Sequence, residues 1–418
     1  MPRRADLLAL TAAVLVVAAT AIAGALLNRI GVPLFADAAP LFGFWAPHVG
    51  PGTPLAVAVA AVVIVWGPAV SARLPWRGLL AASYAAALAW TVSLALVGGW
   101  RGGITERLTD WTEYLHDVPR VHDIGVVLAE FTRHVLAGQP GSWTVHVSGH
   151  PPGVLLVYTW LDRLGLGGGT WASVVTLLVG ALAVVAVPAT VKALRDEPAA
   201  RAVIPFVVLF PGAVWMGVSA DGLFTGVTTV GIALLARRRA LPAGLLLGFS
   251  LYLSYGLTLV TVLALAVVAL DRSWRSLLIA ALGASLVVAA FTAAGFWWLD
   301  GYHLVVQRYH QGDFAQRPYA YWVFGNLGAF LLSAGPLAAA ASFRSSSPTR
   351  WLVVAAGAAV VVADLSGLSK AEVERIWLPF AVWFAVAGAL LPAASRRWWL
   401  GAQAVTALGV EHLIATGW

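Results

Sequence analysis

The chain has 418 residues, 60% of them hydrophobic and only 11% charged, with a mean hydropathy of +0.84. A water-soluble domain spends about a quarter of its residues on Asp, Glu, Lys and Arg, so this composition excludes one and points to an integral membrane protein. The absence of cysteine excludes disulfides, thiolate nucleophiles and sulfur-ligated metals.

The net charge of +7 is read as topology and not as a nucleic-acid surface, because the arginines form short clusters between apolar runs. Those clusters are Arg3-Arg4, Arg73 with Arg77, Arg237-Arg238-Arg239, Arg272 with Arg275, Arg344 with Arg350, and Arg396-Arg397. Runs such as 7–27, 54–67 and 351–363 approach or exceed the roughly 20 residues that cross a bilayer as a helix, and they lack the alternation of a membrane strand. The expected fold is an all-α polytopic membrane protein with about twelve transmembrane helices. The first run, 7–27, lacks a clean cleavage site and is read as a retained span. If the arginine-rich turns are cytoplasmic, the N-terminal spans of residues 1–98 deliver residues 99–150 to the outer face.

That outer loop carries six of the nineteen acidic residues and five of the nine histidines. Clustered carboxylates and imidazoles are the raw material of acid–base chemistry. Within the loop, Val118, Val121, Gly125, Leu128, Phe131 and Val135 recur at helical spacing, which predicts an amphipathic helix over 118–138 lying along the membrane surface or packed on the bundle. The loop ends in SGHPPG (148–153). Proline disfavours the helical region for the residue before it and tolerates the first helical turn, so this motif holds His150 at the membrane surface and starts a helix at once. A full span over 151–164 would put Lys192, Arg195 and Arg201 outside. A re-entrant or surface-lying helix there avoids this, and 170–191 then runs inward.

The next run, 200–217, emerges at Asp221, a carboxylate at a helix end that needs a cavity or a partner. Residues 241–270 read as a tight helical hairpin breaking near Ser254, Tyr255 and Gly256. Residues 151–300 thus form a transmembrane core, and 301–418 form C-terminal spans with outer loops at 299–322 and 365–380. In the latter loop, Lys370, Glu372, Glu374 and Arg375 precede a span on the face where cations are scarce. An anionic ligand would account for them.

The order TDWTEYLHD (109–117), surface helix (118–138), SGHPPG (148–153) and SADGLF (219–224) resembles the GT-C class of polyprenyl-phosphate-sugar-dependent glycosyltransferases. That class includes protein O-mannosyltransferases and the aminoarabinose transferases of lipid A, and the likeness here is to an actinobacterial type. It covers roughly residues 78–300. GLLLGFSLYLSYGLTLV (244–260) is similar to a glycine-rich hairpin of the class but lacks the lysine many members carry at its tip.

The resemblance implies a GT-C-like fold and an inverting displacement on a polyprenyl-phosphate-linked sugar donor, with a glycan, lipid or protein as acceptor. It makes Glu113 the first choice of general base, Asp110 the second and Asp117 the third, with Asp221 orienting the acceptor or assisting the base. His150, His146 and Tyr114 are expected to bind substrate, as are Lys370, Glu374 and Arg375 of the phosphate-facing loop 365–380. No cofactor is required by this reading. A divalent metal, with His146, His150 and a carboxylate as ligands, stays open. The expected setting is a bacterial plasma membrane with the site on its extracytoplasmic face. The main alternative is a transporter or flippase for a lipid-linked or anionic substrate, which would place ionisable groups near mid-membrane. A non-catalytic scaffold is the third.

Overall fold

The computed structural model describes residues 3–339 and 347–417, so Arg344 of the fifth arginine cluster lies outside the described residues. Among the described residues the fold is all-α apart from one antiparallel ribbon that pairs β1 (Gly43–Trp45) with β2 (Ile414–Thr416), with Phe44 opposite Ala415. The ribbon ties the two ends of the chain together, and nothing in the sequence reading pointed to it.

Among the described residues, five helices are long and apolar enough to cross a membrane: α1 (Arg4–Arg29), α2 (Thr53–Arg73), α3 (Trp76–Ala95, continued by a 3-10 turn to Gly98), the α7–α8 pair spanning Gly169–Leu194, and α14 (Trp274–Ala293). Their outward faces carry exposed Leu, Val and Trp side chains such as Leu15, Val62 and Leu278, as a lipid-facing surface requires.

Between α3 and α7 lies the loop, which contains α4 (Ile124–Glu130), α5 (Val145–Ser148) and α6 (Gly153–Arg163). The surface helix expected over 118–138 is shorter and broken, with α4 flanked by 3-10 turns at Val118–Arg120 and Phe131–His134. Asp123 caps α4 by accepting from Val126 N, which fixes the late start. The predicted stripe is nevertheless the buried face, with Gly125 its one exposed member, and it packs on protein. Phe131 stacks on Trp143 and meets Phe296 edge-on, both at 5.5 Å. The eleven residues of α6 reach only about 16 Å, half of the ~30 Å hydrocarbon thickness, so α6 does not span.

The α7–α8 pair (Gly169–Gly180 and Ala183–Leu194) is followed by α9 (Glu197–Val208), which breaks at Phe210-Pro211-Gly212 before the short α10 (Ala213–Met216). Then α11 (Ala220–Ala236) crosses α7 at Gly226, where a Cβ would collide with the Val179 carbonyl. Helices α12 (Ala240–Ser250) and α13 (Val260–Asp271) flank the expected break but do not close into the expected hairpin: α12 packs on α11 and α14, and α13 on α11 and the later helix Arg350–Leu365. The break runs over Leu251–Ser254 into a 3-10 turn at Tyr255–Leu259.

After α14, the expected loop 299–322 contains α15 (Trp298–Gln311), an amphipathic helix with strong interfacial character that sequence reasoning treated as loop. It is followed by α16 (Tyr319–Ala334), α17 (Arg350–Leu365), two short turns α18 (Val373–Ile376) and α19 (Leu378–Ala381), and α20 (Arg396–Leu413).

The arginine-bearing turns share one end of the bundle. The Arg201 guanidinium donates to the carbonyls of Ser71 and Leu74, and Arg195 to the Ser347 hydroxyl at 2.7 Å. The other end of the α2–α3 hairpin, where Gly52 N donates to Leu96 O, adjoins the loop that begins at residue 99.

Candidate functional site

The site begins with a turn. Asp110 Oδ1 accepts from the Thr112 amide at 2.9 Å and from its hydroxyl at 2.7 Å, while the Asp110 carbonyl accepts from Glu113 N. This side-chain-closed turn is the usual work of a loop Asp. Asp110 is itself exposed, and its turn directs Glu113 and Tyr114 inward, where they are 4% and 1% exposed.

The Thr112 carbonyl accepts from His146 N at 3.0 Å, which docks α5 on the turn. His150 then closes α5: its amide donates to Val147 O and its ring Nδ1 lies 2.9 Å from His146 O. A carbonyl can only accept, so Nδ1 carries the proton and the neutral ring leaves Nε2 as an acceptor. The chain continues through Pro151-Pro152 to Gly153, whose amide donates to Tyr252 O at 2.8 Å and whose missing Cβ makes that approach possible. SGHPPG therefore joins the loop to the α12–α13 break.

The imidazoles of His146 and His150 stack at 6.5 Å, and the Tyr114 ring packs against both at 5.9 and 5.8 Å. His146 Nδ1 lies 3.9 Å from Glu113 Oε1, close for an ion pair but long for a hydrogen bond. His150 also meets Phe224, one turn into α11 from Asp221. Asp221 Oδ2 accepts from Arg375 Nη1 at 2.8 Å with both residues buried, and Arg375 Nη2 donates to the partly buried Glu372 Oε2 at 2.6 Å. Residues from the first loop, α5, α11 and α18 thus meet in one buried cluster.

Electrostatics divides their labour. Burial pushes the Glu113 carboxyl up to about 7. The Arg375 charge opposes this, while the neighbouring Asp221 and Asp110 charges reinforce it. Burial, then the Arg375 charge and the neighbouring ring, drives His146 well below the ordinary imidazole range. Burial likewise lowers His150 against the opposing hydrogen bond to His146 O. Tyr114 is held well above the phenol range by burial and by Glu113. Burial works against the charge of Arg375, but Asp221 and Glu372 more than reverse this, so it remains a cation. At neutral pH the cluster therefore offers a carboxyl poised between its two forms beside two neutral imidazoles.

Other expected residues lie elsewhere. Lys370 Nζ donates to the carbonyls of Ala315 and Arg317, so it is committed to the backbone of that segment. Glu374 is fully buried; it accepts from Phe42 N at 2.8 Å through Oε1, and burial raises it to about 7. Asp117 is a strut: it pairs with Arg120 and accepts from Thr144 N, holding the two ends of the loop together. Among the described residues no three His, Asp or Glu side chains are grouped as a metal site, and His150 has already spent Nδ1 on a carbonyl.

Two residues escaped the sequence reading. Arg317 is buried and bonded to the carbonyls of Leu34, Phe35 and Lys370, having looked like an ordinary loop cation. Arg308, on α15, lies half-buried with its Nε 3.3 Å from the Ser148 hydroxyl. A cavity of about 480 Å³ adjoins the cluster behind Tyr158, whose ring meets Tyr114 at 6.1 Å. Leu115, Val118 and Leu161 give it an apolar wall, and His116 and Asp162 stand at its polar side. No family model, curated protein or solved structure matches this chain.

Proposed function

We propose that this membrane protein is a glycosyltransferase of the GT-C type, with about twelve spans, that moves a sugar from a polyprenyl-phosphate donor to a glycan, lipid or protein acceptor on the outer face of a bacterial plasma membrane. The observation that carries the reading is the convergence of Glu113, His146, His150, Asp221 and Arg375 from four distant segments, with the Glu113 carboxyl raised to about 7. A base poised near neutrality is what proton removal from a hydroxyl needs.

In the proposed step Glu113 takes the acceptor hydroxyl proton while the acceptor oxygen attacks the anomeric carbon. The bond from that carbon to the phosphate oxygen breaks, and the polyprenyl phosphate leaves with the electron pair. His150 Nε2 accepts a hydrogen bond from a substrate hydroxyl and orients it. Asp221, neutralised by Arg375, holds the guanidinium beside Glu113. The departing phosphate falls to Arg308, because Arg375 is taken up by two carboxylates and Lys370 by two carbonyls, whereas Arg308 donates to the neutral Ser148 hydroxyl. The transporter alternative is weakened because these groups sit on loops, on short turns and in the first turn of α11, and not within the long apolar helices.

Purified protein mixed with undecaprenyl- and decaprenyl-phosphate sugars and candidate acceptors tests this directly. Transfer is expected to fall by roughly 100-fold or more in Glu113→Gln, the scale of a lost general base, and to survive in Glu106→Gln, whose exposed carboxylate pairs with Arg101. Proteoliposome uptake without sugar transfer would instead favour the transporter.

A further inference from the structure

Glu372 joins two buried arginines. Its Oε2 bonds Arg375 Nη2 at 2.6 Å, and its Oε1 lies 3.5 Å from Arg317 Nη1. The chain Arg317–Glu372–Arg375–Asp221 therefore runs from the loop beside α1 to the N-terminus of α11 with charges alternating along it.

The backbone that presents Glu372 is unusual. Ala371 and Glu372 have φ of +70° and +61°, consecutive left-handed residues without a glycine. Such a conformation persists only where the surroundings over-determine it, and strain of this kind collects at functional sites. Here the surroundings do so from two sides. Asn326 on α16 accepts from Ala371 N, donates to Ser369 O and to Asp364 Oδ1, and so clamps the turn. Arg317, lying 4.0 Å over the Phe314 ring, clamps it again through Lys370 O. A turn held this firmly puts the Glu372 carboxylate three residues before Arg375, within bonding distance.

We propose that Glu372 is the positioning residue of the site: by taking one edge of the Arg375 guanidinium it turns the other edge onto Asp221 and limits the positive charge that Arg375 lends to Glu113. The catalytic consequence rests on the transferase reading, but the electrostatic one does not. The charged and titratable groups facing Glu113 are Asp110, Tyr114, His146, Tyr158, Asp221 and Arg375. Those facing Arg375 are Asp221, Glu372, Glu374, Glu113, Tyr114, His146 and His150. Glu374, next in sequence, turns its Oε1 to Phe42 N. Removing the Glu372 charge thus leaves the Arg375 cation less compensated, and a nearby cation favours the ionised form of a carboxyl. Glu113 must then titrate at lower pH.

The test is an infrared pH titration of the buried carboxyl band of Glu113, assigned by its loss in Glu113→Gln, together with the pH profile of sugar transfer. In Glu372→Gln the midpoint is expected to move down by about one pH unit, and plateau transfer to fall roughly tenfold as Arg375 loses its anchor. Glu372→Asp, which keeps the charge, is expected to recover most of the midpoint, and thermal unfolding checks that both variants are folded. A folded Glu372→Gln protein with unchanged midpoint overturns the proposal, as does a folded Glu372→Asp protein that behaves like Glu372→Gln. If the midpoint moves but the wild-type protein transfers no sugar, the positioning role stands and the transferase reading falls.

Discussion

At the scale of single residues, Glu113 is the group whose environment does most to define the site. Its folded-state pKa of about 7 lies above the ordinary carboxyl value, so folding favours its protonated form. Its contribution to stability is therefore fully present below about pH 4 and is lost as pH rises through 7, by an amount on the order of a few kcal/mol. Glu113→Gln should remove this dependence. Between pH 5 and 8 the unfolding temperature of the variant is expected to fall less than that of the wild type, and an equal fall in both would contradict the burial argument. The Asp221–Arg375 pair makes a second prediction. Breaking a buried pair leaves an uncompensated charge, so Asp221→Asn should cost about 3–5 kcal/mol in detergent unfolding, and adding Arg375→Gln should recover part of that cost. Glu113, His150, Asp221 and Arg375 were legible in the sequence because ionisable side chains are scarce in an apolar chain and each stood at a break in it. Lys370 and Glu374 were not distinguishable from Arg375 by the same criterion, since only side-chain direction separates a cation facing the cluster from one facing backbone carbonyls.

At the scale of elements, the glycine that ends SGHPPG explains how a loop is fixed to the α12–α13 break a hundred residues away. A Cβ at Gly153 would collide with the Tyr252 carbonyl. Gly153→Ala should therefore push α6 off the α12–α13 break, cost about 1–3 kcal/mol, and lower transfer by misplacing His150. Its measured effect can be compared with Gly78→Ala on exposed α3 backbone, where a Cβ meets open space; a Gly153→Ala protein with wild-type stability and transfer would rule out this joint. The break between α12 and α13 was readable from the run's length between two charged ends, and the amphipathic stripe from its spacing, whereas the packing of α12 on α14 in place of α13 was not. The breakage of the 118–138 helix was not, because the Asp123 cap and the turn at Pro119 outweighed a continuous apolar period. Helix α15 was missed for a related reason: Trp298, Tyr302 and Tyr309 alternate with His303, Arg308 and His310, a mixture that reads as loop until its partner surface is known.

For the molecule as a whole, the arginine turns at one end and the acid–histidine cluster at the other make the bundle polar along its length. The natural lack of cysteine makes this easy to examine. Single cysteines in place of exposed Arg77 and exposed Trp111 should label from opposite sides of sealed cells, Trp111→Cys from outside and Arg77→Cys only after permeabilisation. Labelling from the same side would remove the topology on which the site's placement depends. The central claim is that this cluster receives a sugar carried on a lipid phosphate, and the most direct measurement is a cryo-EM map of the Glu113→Gln protein with an undecaprenyl-phosphate sugar bound. The sugar is expected between residue 113 and His150, with its phosphate against Arg308. Density for the ligand away from this cluster, or no binding at saturating donor, would contradict it.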